Sequence, residues 1–332
     1  MAAVGAPAAR KTIRRDPLIV LPYAGFGTAE RLRVAGRVLQ DEGFRPTGDK
    51  DRRWRNLVAF YKRLESDEVP FARVRILGQE FRADREGFFN AEITGRFKPG
   101  WHEIPVQYGS VTAKAAVLVP SPRARFAVIS DIDDTIVFSN VKNKLKMILA
   151  LALSNAHTRK PFAGVAAFYQ ALHAGVNPLF YVSKSPWNLY VPLMEYLDHQ
   201  RLPVGPLILR DFGLRLRRRK TLDHKTAAIE TILQTYPNLK FVMIGDSGEH
   251  DPEIYSAIVR RFPERIRTIY IRSVDPDPSR IKAVEDLIRQ VRPTGCQLVL
   301  APDSEFAAAH AAGEGLIPAS ALAAVRGEKK RQ

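Results

Sequence analysis

The sequence is poor in cysteine, because Cys296 is the only one among 332 residues. A single cysteine cannot form an intramolecular disulfide, which excludes a disulfide-stapled secreted scaffold, and it cannot build a cysteine-based zinc site. Proteins of reducing compartments do not depend on disulfides. We therefore expect a cytoplasmic protein.

Long hydrophobic runs are also lacking. No uninterrupted apolar stretch reaches the roughly 18–20 residues that a membrane-spanning helix needs. Residues 1–15 are basic but contain no continuous apolar core of the kind that a secretory signal has, and an Arg-bearing transit peptide stays an open alternative. We expect a soluble or peripherally membrane-associated protein with a flexible N-terminus over residues 1–15.

Acidic residues are in the minority. Lys and Arg number 51 against 35 Asp and Glu, which gives a formal net charge of +16. Such a charge favours polyanionic partners, namely phospholipid surfaces, nucleic acid or phosphorylated substrates. Charge alone does not choose among these three.

The length of the chain and a proline-containing segment at residues 120–122 together predict two domains. A chain of 332 residues with 45% hydrophobic content can bury more than one core. The segment Pro120-Ser121-Pro122 is typical of a short stiff linker, because proline fixes φ and resists helix formation. We expect a β-rich accessory domain over residues 16–122, an α/β domain over 123–317 and a C-terminal tail over 318–332.

Residues 16–122 change quickly between short alternating apolar runs and turn residues. We expect a small β-sandwich-like domain with one helix over 51–64 and strands over 18–21, 32–39, 72–77, 88–97 and 111–119. The segment from Arg82 to Phe89, with the alternation that follows it, resembles transthyretin-like and carboxypeptidase-regulatory-like modules.

Residues 123–317 alternate between strand-like and helix-like patterns. That rhythm predicts a parallel, doubly wound sheet with helices on both faces. The expected strands cover 126–130, 179–183, 207–210, 241–245 and 267–271, and the expected helices cover 166–174, 187–199, 225–235, 251–262 and 280–291.

The most informative motif is Asp131-Ile132-Asp133-Asp134-Thr135, which directly follows the apolar run 126–129. Open α/β sheets place their ligands outside the carboxyl ends of the strands. Phosphoryl transfer through a covalent intermediate needs an ionised nucleophile and a protonated acid, which two such aspartates can supply. A capped turn is the alternative for this motif taken alone.

Three later segments also end in polar groups. Ser183 ends the second apolar run, Lys225 begins a helical pattern, and Asp246 and Asp251 follow the run 241–245. Ser183 and Lys225 each have a purely structural alternative: a strand-end cap for Ser183 and a solvated helix position for Lys225. Four such endings on one predicted sheet edge favour a shared site.

These ordered motifs resemble those of the haloacid dehalogenase (HAD) superfamily of phosphatases. The resemblance implies a HAD-like Rossmannoid fold in which Asp131 is the nucleophile that forms an aspartyl-phosphate and Asp133 is the general acid and then the base. It also implies that Ser183 and Lys225 hold phosphoryl oxygens, as does Thr135 within the first motif.

The same resemblance implies a Mg²⁺ site. Asp246 would bind the ion together with the Asp131 carboxylate and the Asp133 backbone carbonyl, while Asp251 steadies the cluster. An all-oxygen set of carboxylates suits a hard cation on chemical grounds as well.

A narrower resemblance covers most of the α/β half. The actin-patch phosphatidate phosphatase family, whose members are magnesium-dependent and convert phosphatidic acid to diacylglycerol, is similar in the strings 131–136, 181–187, 224–225, 244–255 and 269–272. Lys184 departs from the asparagine expected there. Its ammonium either joins the phosphate pocket and favours a dianionic head group or pairs with a nearby acid.

The short spacings between motifs leave no room for a large lid domain, which favours a phosphate presented on something bulky, such as a bilayer. Residues 145–153 and the basic run 215–220 could meet an anionic membrane surface, or be a core or lid helix and a solvated loop. Two alternatives stay open: a phosphatase of phosphoproteins or nucleic-acid ends, and a non-catalytic basic scaffold that binds lipid or nucleic acid.

Overall fold

The computed structural model describes residues 18–40, 68–132, 163–210, 221–274 and 277–331. The expected N-terminal segment 1–15 and the expected helix 51–64 lie outside these residues. Two sheets, with helices around the second, account for the described part of the chain. Its fold is mixed α/β.

The first sheet has seven strands in the order β4-β3-β6-β7-β1-β2-β5. They are β1 (Leu18–Gly27), β2 (Arg31–Gln40), β3 (Arg73–Ile76), β4 (Gln79–Arg82), β5 (Phe88–Thr94), β6 (Gly100–Tyr108) and β7 (Val111–Val119). All neighbours are antiparallel except β1 and β7. Alternate residues, such as Val74 and Ile76 on β3, enter a shared core. The β-rich character matches the expectation, and the sandwich arrangement stays a prediction.

The apolar pattern of the sequence does not predict two strands of this sheet, β4 and β6. On β6 only Ile104 and Val106 are buried apolar residues, and β4 contains a single apolar residue, Phe81. A strand that buries few apolar side chains leaves little trace in side-chain periodicity. The pairing of β6 along its whole length with β7 is therefore visible only in the structure.

The second sheet has six strands, all parallel, in the order β10-β9-β8-β11-β12-β13. The strands are β8 (Ala127–Ser130), β9 (Leu179–Pro186), β10 (Leu207–Arg210), β11 (Phe241–Asp246), β12 (Ile266–Arg272) and β13 (Gln297–Ala301). The helices are α1 (Val165–His173), α2 (Tyr190–His199), α3 (Thr221–Thr235), α4 (Asp251–Arg261), α5 (Pro278–Val291), α6 (Ser304–Gly313) and α7 (Ala321–Arg331).

Both faces of the second sheet are covered by helices. On β11, Val242 and Ile244 enter a core with α1, α2, α6 and α7, while Phe241 and Met243 enter a core with α3, α4 and α5. This double burial explains why the strands are almost wholly apolar, as parallel sheets require. The last helix is packed as well, because Val325 is buried and Glu328 Oε2 accepts a hydrogen bond from Ala167 N at 2.7 Å.

The strand order places a crevice between β8 and β11. From β8 the chain proceeds outward through β9 and β10, then returns to the other side of β8 with β11, so the strand order reverses there. Crevices at such reversals are where open α/β sheets bind ligands. Ser130 pairs with Tyr181 on β9 and Ile244 on β11, so Asp131 and Asp246 both come just after this level.

Candidate metal and phosphate site

Three buried carboxylates meet at this crevice. Asp131 follows β8, Asp246 ends β11 and Asp251 begins α4, and each has 0% exposure. One carboxylate oxygen from each lies within 4.8 Å of those of the others. Like charges held this close in a buried site repel, so the cluster is suited to a cation with oxygen ligands.

Lys225 supplies positive charge to the cluster. Its Nζ donates to Asp131 Oδ1 at 2.7 Å and also donates to Asp251 Oδ1, and the side chain has 0% exposure. Burial alone would lower the pKa of Lys225, but the Asp131 and Asp251 carboxylates outweigh it and hold the pKa well above its usual range. The solvated helix position that the sequence left open for Lys225 is therefore wrong.

Asp246 ends β11 with its carboxylate buried beside Asp251. Burial, together with the charge of Asp251, raises the pKa of Asp246 to about 7. Its Oδ1 accepts hydrogen bonds from Gly248 N at 2.7 Å and Glu249 N at 2.9 Å, which fix its orientation. Gly245 is needed beside it, because a Cβ there would lie 2.7 Å from Asp251 Cβ.

Arg280 on α5 holds the loop that follows Asp246. Its Nε donates to Ser247 O at 2.6 Å, its Nη2 donates to Glu249 O at 2.6 Å, and it pairs with the Glu253 carboxylate. Burial raises the pKa of Glu253, but the hydrogen bonds from Arg280 outweigh burial, so the net shift is downward. No local sequence pattern points to this role, because Arg280 binds backbone atoms 31 and 33 residues away.

Ser183 and Lys184 lie on β9, next to β8. Both are buried, and Ser183 Oγ accepts a hydrogen bond from Ser185 N at 2.9 Å. Lys184 Nζ lies 2.8 Å from Glu249 Oε2, with side-chain exposures of 7% and 13%. The pairing of Lys184 with a nearby acid, left open by the sequence, is therefore present, and it links the end of β9 to the loop after β11.

Ser130 and Tyr169 support the backbone at Asp131, and sequence reasoning missed both. Ser130 Oγ donates to Asp131 O at 2.7 Å and lies 2.7 Å from Tyr169 OH, so the tyrosine hydroxyl donates to the serine. Burial raises the pKa of Tyr169 far above its usual range, which keeps its proton in place. The partners are 39 residues apart, so no local pattern predicts the contact.

Several sequence-predicted residues lie outside the described residues. These are Asp133 and Thr135 of the first motif and the two segments 145–153 and 215–220 that bear on membrane binding. The assignments made for them stay predictions. Among the described residues, no helix is both long enough and apolar enough to cross a bilayer.

A small cavity lies beside Ile244, lined also by Tyr169, Tyr270 and Arg272. Its volume of about 30 Å³ is enough for a water molecule and far too small for a hydrocarbon chain. Burial lowers the pKa of Arg272 to about 10, so this guanidinium stays charged at neutral pH.

Comparison with known proteins gives matches in the α/β half of the chain. Residues 126–273 match the family described as Phosphatidate phosphatase APP1, catalytic domain. Phosphatidate phosphatase APP1 of Saccharomyces cerevisiae is 34% identical over 150 residues, which are 44% of this chain and 25% of the yeast protein. An uncharacterised protein of Schizosaccharomyces pombe is 29% identical over 158 residues, covering 47% of this chain and 26% of that protein.

Among solved structures, a phosphoserine phosphatase from T. onnurineus aligns at 12% identity over 57% of this chain and 96% of that one. Its TM-score of 0.32 is too low to carry an argument about the fold. The chain spans about a quarter of the length of the curated relatives it matches. By sequence, the segment from 126 to 273 is close to the phosphatidate phosphatase APP1 catalytic-domain family.

Proposed function

We propose that this protein is a Mg²⁺-dependent phosphoric monoester hydrolase with a HAD-like Rossmannoid catalytic domain, acting through an aspartyl-phosphate on Asp131. The observation that carries the proposal is the meeting of Asp131, Asp246 and Asp251 with Lys225 at the strand-order reversal. Similarity to a phosphatidate phosphatase catalytic domain supports the same reaction class.

The donor set fits Mg²⁺. Asp131, Asp246 and Asp251 offer oxygen only, lie buried within ligand distance of one another, and carry more negative charge than Lys225 offsets. With Asp133, the three would hold the ion. When bound, Mg²⁺ would shield the charge of the phosphate from the attacking carboxylate.

Asp131 suits the nucleophile because it follows β8 at the strand-order reversal and its carboxylate accepts a hydrogen bond from the Lys225 ammonium. A carboxylate oxygen of Asp131 attacks phosphorus, the bond between phosphorus and the ester oxygen breaks, and Asp133 gives its proton to the leaving oxygen. Asp133 then accepts a proton from water, whose oxygen attacks the same phosphorus and releases phosphate. Asp131 is regenerated as a carboxylate.

The oxygens of the phosphoryl group that Asp131 attacks need hydrogen-bond donors around them. Ser183 on β9, adjacent to β8, supplies a hydroxyl, and Lys225 supplies an ammonium already directed at Asp131. Thr135 completes this set. Lys184 would exchange its partner Glu249 for a substrate oxygen, which would favour dianionic phosphates over phosphodiesters.

The substrate we favour is phosphatidate or a related lipid phosphate, with diacylglycerol and phosphate as products. The similarity of residues 126–273 to a phosphatidate phosphatase catalytic domain supports this substrate. The acyl chains would stay in the membrane while only the head group enters the site. A net charge of +16 would bring the protein to an anionic surface. A cytoplasmic enzyme that associates peripherally with membranes fits this picture.

A phosphate-release assay on the full chain tests the proposal. It would compare phosphatidate in mixed micelles, phosphopeptides and 3′-phosphorylated oligonucleotides, each with Mg²⁺ and with EDTA. We expect Mg²⁺-dependent release with phosphatidate preferred. Asp131→Asn should lower kcat by at least about 10⁴-fold, and the matched control Asp198→Asn, an exposed position on α2, should leave it unchanged.

The alternatives give different results in the same assay. Preference for phosphopeptides or oligonucleotides would reject the lipid substrate and keep the hydrolase. Absence of Mg²⁺-dependent release from every substrate, including an aryl phosphate, would reject the hydrolase and favour a non-catalytic lipid- or nucleic-acid-binding scaffold.

A further inference from the structure

The first sheet contacts the second at the segment that directly follows Ser183 and Lys184. The ring of Tyr23 on β1 stacks on Trp187, with ring centroids 4.1 Å apart and an angle of 19° between the planes. Tyr23 is only 3% exposed, and its ring also lies against Tyr190 at 4.6 Å. The stack therefore belongs to the packed interior.

Two hydrogen bonds fix the same segment. Ala24 N donates to Tyr190 OH at 2.7 Å, and Arg37 Nη1 donates to Asn188 Oδ1 at 3.2 Å. Both donors belong to the first sheet, on β1 and β2. Together with the aromatic stack, they give residues 187, 188 and 190 a direct contact each with the first sheet.

Arg37 is built as a rigid support. It is 6% exposed, its Nε donates to Glu86 O at 2.8 Å, and its Nη2 lies 2.8 Å from Glu68 Oε1. Its guanidinium lies 4.4 Å from the ring centroid of Phe88. A buried arginine bound on every side has little freedom, so Asn188 meets a fixed donor.

A second contact lies further back along β9. Phe26 of β1 packs edge-on against Phe180 at 5.5 Å between ring centroids. Tyr236, which follows α3 and whose ring lies 5.6 Å from that of Phe180, donates its OH to Gly27 O at 3.1 Å. The strand β9 is thus held by the first sheet both before and after Ser183. Such bracketing fixes the strand along its length rather than at one point.

The chain between Ser183 and the contacts at Trp187 is short and extended. Lys184 to Pro186 stay extended within β9, Pro186 has φ −71° and ψ 155°, and Ser185 N donates to Ser183 Oγ. Only three residues, each spanning about 3.3 Å, separate Ser183 from Trp187, so the two side chains are anchored to one short extended segment. A shift of Trp187 would therefore move the Ser183 hydroxyl.

We infer that the first sheet is a positioning element for the phosphate-binding end of β9, with Tyr23 and Arg37 as positioning residues. This inference rests on the proposed function for its catalytic consequence. Asp131, Asp246 and Asp251 stand on β8, β11 and α4, none of which supplies a partner to these contacts, so we expect a larger effect on phosphate recognition than on metal binding.

Three full-length variants test the inference. Tyr23→Leu removes the stacked ring, and Tyr23→Phe keeps it. Val74→Ala is the matched control, because Val74 is fully buried in the first sheet on β3, away from β9. Hydrogen exchange of the backbone amides of residues 183–190 reports the segment itself, and phosphate release at varied Mg²⁺ reports the site.

We expect Tyr23→Leu to speed exchange in residues 183–190 by about tenfold or more. Its kcat/KM should fall between about tenfold and about a hundredfold, the effect of a small misplacement of a binding group. The inhibition constant of inorganic phosphate should rise by a similar factor, while the half-saturating Mg²⁺ concentration stays within about twofold of wild type. Tyr23→Phe, which keeps the stacked ring, should lie much closer to wild type than Tyr23→Leu in each of these values.

The inference is overturned if Tyr23→Leu behaves as Val74→Ala in exchange and in kcat/KM, since the ring then only stabilises the fold. A parallel loss of Mg²⁺ affinity would also overturn it. If the wild-type chain releases no phosphate, the proposed function fails, and exchange alone decides whether the first sheet fixes the segment.

Discussion

Replacing Lys225 by methionine tests the charge balance of the site. Methionine keeps an unbranched side chain of similar length, so packing changes little while the ammonium is lost. Asp131 and Asp251 then lose their partner inside a site with 0% exposure. Removing one member of a buried ion pair generally destabilises a protein by about 3–5 kcal/mol, because the remaining charge is uncompensated.

That loss is large against a typical free energy of unfolding of about 5–15 kcal/mol. With a urea dependence of about 3 kcal/mol per molar, it lowers the unfolding midpoint by between about 1 and about 2 M. The deficit should shrink at low pH. Uncompensated buried carboxylates have raised pKa values, so the variant's relative stability is highest below their unfolded-state pKa and falls as pH rises through the folded value.

Urea unfolding of the part of the chain around the second sheet can be followed through the Cys296 thiol, which lies buried in a core against that sheet. Each protein is unfolded without metal and with Mg²⁺, at pH 5 and pH 8. Lys240→Met is the control, because Lys240 is exposed and surface changes stay within about 0.5 kcal/mol. Mg²⁺ should stabilise Lys225→Met more than wild type, since the cation replaces the lost charge.

A metal-free Lys225→Met protein within about 1 kcal/mol of wild type at pH 8 would refute the reasoning. So would a deficit that grows at pH 5, because carboxylates that gain protons no longer need a partner.

Three further results are expected. Gly245→Ala should cost most of the activity and Mg²⁺ affinity, measured by phosphate release and calorimetry, because its Cβ forces Asp251 away; unchanged affinity would contradict the packing. Arg280 lowers the pKa of Glu253, so their ion pair adds stability that is lost as pH falls below about 4.5. Arg280→Leu should therefore make the free energy of unfolding less dependent on pH in that range. An unchanged pH dependence would refute this. Burial raises the pKa of Cys296 to about 12, so thiol reagents should label it only upon unfolding; rapid native labelling would contradict its burial.

The sequence predicts the core of the second half well because parallel strands buried on both faces are nearly continuous apolar runs. The expected strand 207–210 agrees with β10, and the expected strand 241–245 differs from β11 by one residue. Polar residues that follow such runs stand out, which is why Asp131, Asp246 and Asp251 could be expected together. The structure brings them together with Lys225.

The supporting contacts could not be predicted, because they depend on positions distant in sequence. Arg280 binds carbonyl groups through its side chain, and Tyr23 meets Trp187 across two sheets. The strand β13 and helix α6 were also not expected. In α6 alanines occupy five of the ten positions and fall on several sides of the helix, so the apolar residues mark no single face. The roles of Asp133 and Thr135 stay predictions.

The most direct test of the central claim is to quench a reaction of the full chain with phosphatidate in acid and to locate the phosphoryl group by mass spectrometry. We predict a Mg²⁺-dependent, hydroxylamine-sensitive phosphoryl group on Asp131 that is absent from Asp131→Asn. Phosphate found on any other side chain, or an active Asp131→Asn protein, would contradict the account.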